Sequence, residues 1–83
     1  MLILCDDTRN SIDYAASCLH EVIAGVDVAT AIETVLMTDL HGEAPVCAGT
    51  PEFVSACESR LLAMGLKCRT EQIPQRSTVP GLP

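Results

Sequence analysis

A short apolar run, Leu2-Ile3-Leu4, ends at Cys5 directly against two adjacent carboxylates, Asp6 and Asp7, and a helical pattern opens within a few residues of them. An apolar run this short, bounded by polar residues, reads as a buried strand. From Ile12 the spacing changes: Ile12, Ala15, Ala16, Leu19, Val22 and Ile23 fall on one face of a 3.6-residue helix. The chain therefore begins with a strand whose exposed end meets the lip of a helix, and both carboxylates sit there. One Asp at such a place is the ordinary capping device. A second is available for binding.

With 83 residues the chain makes one small domain, of a size that buries roughly 60% of its unfolded surface. The net charge is −6, with only five Lys and Arg, so the summed field repels phosphate backbones and favours basic partners. One Phe, one Tyr and no Trp leave no stacking platform for single strands. Nucleic acid is excluded as the expected partner. The cysteines, Cys5, Cys18, Cys47, Cys57 and Cys68, are odd in number, form no C-x-x-C pair and occupy apolar pattern positions. They read as small reduced core residues, and with His20 and His41 they supply none of the close ligand pairs of structural zinc. No metal and no other cofactor is expected. The first apolar run has no basic flank and is far too short for a signal peptide or a membrane span, so a soluble, reducing compartment and no membrane partner are expected.

Turn and cap residues divide the rest. A first helix is expected from about Asn10, as N-cap, to Ala24, with Gly25 as its stop. A second begins behind Asp27, with Val28, Ala31, Ile32, Val35 and Leu36 as its apolar stripe, and ends near Leu40 before Gly42. Residues 44–48 read as a strand whose Pro45 marks an edge or a bulge. Thr50-Pro51 starts a third helix, because Thr caps and Pro is tolerated at the first helical position. Val54, Cys57, Leu61 and Met64 give its buried face, and Gly65 closes it. Leu66, Cys68 and Thr70 then alternate with Lys67, Arg69 and Glu71 as a half-buried strand. From Ile73 onward, three prolines with Ser, Thr and Gly predict a disordered Pro-rich tail over residues 73–83 behind a core of residues 1–72. The order β-α-α-β-α-β predicts an α+β fold: a two-layer sandwich of a small three-stranded antiparallel sheet and three helices.

Several segments resemble the ClpS family, adaptors that deliver N-end-rule substrates to a Clp protease chaperone. Ile3-Leu4-Cys5-Asp6-Asp7 resembles the family's IL-x-N-D-D opening. Asp13-Tyr14 with Leu19, Val26-Asp27-Val28, His41-Gly42-Glu43-Ala44 and Thr50-Pro51-Glu52 follow in register. The run from Gly65 to Glu71 resembles cyanobacterial and plastid members. These matches span nearly all of residues 2 to 71 and agree with the independently read fold.

The resemblance implies an adaptor that binds N-degron peptides with Phe, Leu, Tyr or Trp first and hands them to a Clp AAA+ chaperone of the ClpA or ClpC type, in a bacterial cytoplasm or a plastid stroma. Asp6, Asp7, Asn10 and Asp39 would hold the free α-amine; Ile12, Ala15, Val35, Thr38 and Leu66 would form the hydrophobic pocket; Glu52 would contact the chaperone. The amine chemistry fits, since a protonated amine carries three donors and needs acidic or polar acceptors. Two positions depart from the family. Cys5 stands where most members carry Asn, and Asp39 falls, on ungapped spacing, where they carry His; a two-residue shift would bring His41 there instead. Ile12 occupies the gate, usually Met, and its branched Cβ makes it stiffer. Ala15 and Val35 are smaller than their usual counterparts, so a roomy pocket is expected that rejects first residues branched at Cβ. Each of these apolar residues, taken alone, reads as plain core packing.

In the family a flexible extension precedes the first strand, whereas this sequence opens on the strand itself; either the extension is trimmed from it or delivery is lost, and substrate capture is the better-founded half of the implied function. The alternative is a ClpS-fold interaction module that binds the chaperone or another partner without N-degron recognition. A response-regulator receiver also opens with a strand and an acid pair, but it needs about five strands and a third strand-end Asp, which this length does not accommodate. The ribosomal stalk protein's C-terminal domain shares the layout and presents a Lys-rich helix, which this chain lacks. No enzyme is expected, because no set of nucleophile, base and orienting residue, phosphate loop or paired metal ligand is visible.

Overall fold

A computed structural model describes residues 1–7 and 9–72. The predicted tail, residues 73–83, lies outside the described residues. The elements are β1 (Leu2–Cys5), α1 (Ile12–Val22), α2 (Val28–His41), β2 (Glu43–Cys47), α3 (Pro51–Ala63) and β3 (Cys68–Thr70). The order is the predicted β-α-α-β-α-β, and the fold is a small α+β domain with a three-stranded antiparallel sheet. β1 is central, flanked by β2 and β3.

Alternation along β1 sends Leu2 and Leu4 into the core shared with the helices, where they meet Leu19, Ile23, Val54 and Leu61. Ile3 points to the other face and is buried there as well. Its partners across the ladder are Pro45 on β2 and Arg69 on β3. Arg69 reaches over the middle strand to the carboxylate of Glu43, with Nη2 donating to Oε1 at 2.9 Å and Oε2 at 3.0 Å, and Nη1 donating to Glu71 Oε2 at 3.2 Å. The register slips between Leu2 and Ile3, the irregularity that Pro45 predicts on an edge strand. Beside it, the two ends of the described fold meet: the Met1 ammonium donates to the Glu71 carbonyl at 2.7 Å, and the Glu71 N–H donates to the Met1 carbonyl at 2.8 Å.

Caps fix where the helices begin. Asp27 accepts from the Thr30 N–H at 2.8 Å, which holds its carboxyl below the usual carboxylate range, and Thr50 accepts from the Phe53 N–H at 3.1 Å with Pro51 in the first turn. Gly42 ends α2 at a φ of 88°, and Gly65 turns out of α3 at 92°, left-handed conformations in which a Cβ is strained. The first helix corrects the prediction. Its cap is Ser11, whose Oγ accepts from the Tyr14 N–H at 3.1 Å; Asn10 is not the cap. Two stripe residues are also corrected: Val28 and Leu36 are exposed, and the buried face of α2 is Ala31, Val35 and Thr38. All five cysteines are free thiols. Cys18 and Cys57 are buried; the other three are half-buried. Burial pushes the Cys68 thiol up to about 11.

Candidate functional site

The end of β1 is held from both sides. The Cys5 N–H donates to the Lys67 carbonyl at 2.8 Å, just before β3, and the Asp6 N–H donates to the Gly42 carbonyl at 2.9 Å, in the turn between α2 and β2. The loop that follows folds back on Asp7. Its Oδ1 accepts from the Arg9 N–H at 2.9 Å and its Oδ2 from Asn10 Nδ2 at 2.8 Å. The Arg9 backbone bond is the main cause that holds the Asp7 carboxyl below its usual range. Asn10 Nδ2 also donates to the Gly65 carbonyl at 2.9 Å, and Tyr14 Oη donates to the Met64 carbonyl at 2.6 Å. Two side chains at the start of α1 thus clamp the turn after α3 and seat Leu66 beside β1.

These ties enclose a cavity of about 50 Å3 between the end of β1, the start of α1, the cleft-facing side of α2 and Leu66. Eight of the nine residues assigned to the amine and side-chain sites line it: Asp6, Asp7, Asn10, Ile12, Ala15, Val35, Asp39 and Leu66. Val35 and Asp39 are one helical turn apart on α2 and face it together. Asp6 and Asp39 are exposed carboxylates with no ion pair among the described residues. Ile12 stands at the rim, 41% exposed, while Ala15, Val35 and Leu66 are buried. The arrangement presents open acceptors above an apolar floor.

Four findings revise the sequence expectations. Thr38 does not line the cavity. It is buried, and its hydroxyl donates to the Thr34 carbonyl at 2.8 Å, the back-bond by which a mid-helix Thr satisfies itself. Asp7 and Asn10 line the cavity, yet they spend their polar atoms on each other and on the loop, so they position the site more than they offer it. The roomy pocket expected from Ala15 and Val35 is absent: about 50 Å3 is well below the roughly 150 Å3 of a cavity that holds a benzene ring. Lys67, read from sequence only as an outward strand residue, contributes to the lining beside Leu4 and Cys5. The signal that places it there is Gly65, which turns the chain so that residues 66 and 67 pass the end of β1 before pairing starts at Cys68.

Glu52 is exposed in the first turn of α3, where a carboxylate is favoured by the helix dipole. Cys57, farther along the same helix, is buried in the core. Among the described residues no cluster of three His, Cys, Asp or Glu side chains could hold a metal ion, and no helix is long and apolar enough to cross a membrane. No protein-family model matches the chain, and no curated protein matches it.

Proposed function

We propose that the protein is a ClpS-like adaptor that captures the first residue of a peptide, holding the free α-amine at Asp6 and Asp39 and the side chain against Ile12, Ala15, Val35 and Leu66. The observation that carries this reading is convergence. Residues far apart in sequence meet at one cavity, where two carboxylates with no ion pair among the described residues stand above an apolar floor. An ammonium group satisfies two acidic acceptors at once through charge-assisted bonds roughly twice as strong as neutral ones, and an acetylated terminus loses them. The small cavity refines the expected selectivity. Leu enters with the least displacement of Ile12, whereas Phe, Tyr and Trp require that exposed rim side chain to swing out. Delivery to a Clp chaperone through Glu52 is part of the same proposal and rests on the resemblance alone.

A second reading is favoured by Lys67 and Cys5: a cation in the lining opposes a bound amine, and a thiol is a weak acceptor. On that reading the fold serves as an interaction module without N-degron capture. Fluorescence anisotropy separates the two, using peptides that begin with free Leu or Phe beside their acetylated counterparts. Saturable binding abolished by acetylation, weakened at least about tenfold by Asp39→Ala, and tighter for Leu than for Phe is the expected outcome. Absence of binding to Leu, Phe, Tyr and Trp peptides alike overturns the capture reading and leaves the interaction module.

A further inference from the structure

The side of α2 away from the cleft carries a second concavity, which peptide capture does not use. Thr30, Thr34, Met37 and His41, spaced by three and four residues, form one face of α2 opposite Ala44 and Pro45 of β2, and together they enclose a groove of about 370 Å3 with Glu33 and Glu43 at its margin. The outer pole of the same helix continues the apolar surface. Leu36 and Met37 are each 47% exposed and Leu40 is 74% exposed, although nothing in the fold requires large apolar residues there. A contiguous apolar strip rimmed by acids marks an interaction surface.

Three features specify what fits it. From Thr30 to His41 the groove runs about 16 Å, at roughly 1.5 Å per helical residue, which matches three turns of a partner helix. β2 is an edge strand, but Pro45 has no N–H to offer an added strand, so the edge is blunted against strand addition. Glu33 is exposed and without an ion pair among the described residues, and the chain carries a net charge of −6. A second copy would bring those same acids onto the groove. We propose that this groove docks a basic amphipathic helix of about three turns from a partner protein, its apolar face on Met37 and Leu40 and its cations on Glu33, since Glu43 is already paired with Arg69.

The proposal is independent of the cleft. Its test uses a synthetic 14-residue helix of Leu and Lys with Leu at helical spacing, a scrambled peptide of identical composition, and the 15N-labelled protein followed by NMR. Saturable binding that moves the resonances of Met37, His41 and Ala44, that the scrambled peptide does not reproduce, and that weakens at least about tenfold in both Met37→Glu and Glu33→Lys supports it. Equal binding of the scrambled peptide, shifts centred on Asp6 and Ile12, or no binding overturns it. So does a dimer in sedimentation equilibrium that Met37→Glu dissociates, because the occupant is then a second copy. Both substituted residues are exposed, so the variants keep the fold, and unchanged thermal unfolding verifies this.

Discussion

On one side of α2, Val35 and Asp39 face a cavity of about 50 Å3 whose walls are tied by hydrogen bonds from Asn10 and Tyr14; on the other, Met37 and His41 face a groove of about 370 Å3 with no side-chain bond across it among the described residues. The same helix supplies both, with residues only one or two positions apart in sequence. The cleft takes its shape from bonds between elements, so it exists before any ligand arrives and admits little. The groove takes its shape from side chains that face water, so its form adapts to what covers it. Preorganisation favours selectivity in the first case, and exposed Met and Leu favour tolerance in the second.

Mutations that distinguish a tied wall from a free one sharpen this contrast. Leu4→Ala truncates a buried residue that lines the cleft and is expected to cost about 2–5 kcal/mol in urea denaturation, while enlarging the cavity enough to improve Phe-peptide binding relative to Leu. Asn10→Ala deprives Asp7 and the Gly65 carbonyl of their shared donor; a loss of about 1–2 kcal/mol is expected, with weaker peptide capture and an undisturbed groove by NMR. A collapse of the groove resonances in that variant would break the contrast. In acid, the depressed Asp7 carboxyl contributes stability that is present above its unfolded value of about 3.8 and is lost as pH falls through its lower folded value. Asp7→Asn should flatten the denaturation profile below about pH 4. Smallest of all, Met37→Ser should change stability by no more than about 0.5 kcal/mol, because the side chain is half in water and packs on no tied wall.

The fold was legible because its punctuation is strong. Asp27, Thr50-Pro51, Gly42 and Gly65 act through local bonds and backbone preferences that the sequence displays directly. At the start of α1 the same logic points to Asn10, one residue before Ser11, the cap that forms. The choice between them was settled by Gly65, fifty-five residues away, whose carbonyl claims the Asn10 amide. The resemblance assigns Thr38 to the pocket and says nothing of the Thr34 carbonyl that takes its hydroxyl. Lys67 enters the lining because the ladder of β3 begins only at Cys68, so strict alternation does not govern residues 66 and 67. The exposure of Val28 and Leu36 has a simpler cause: α2 packs on α1 and β2 over a narrower face than its apolar residues span.

The reciprocal bonds between Met1 and Glu71 join the two ends of the described fold across one corner of the sheet. In topological terms the domain is nearly a closed ring, so its connectivity is separable from its architecture. A circular permutant that links residue 72 to residue 1 by a few glycines and opens the chain beside Gly25 or Gly49 would retain the three-strand ladder, the clamp on the cleft and the groove.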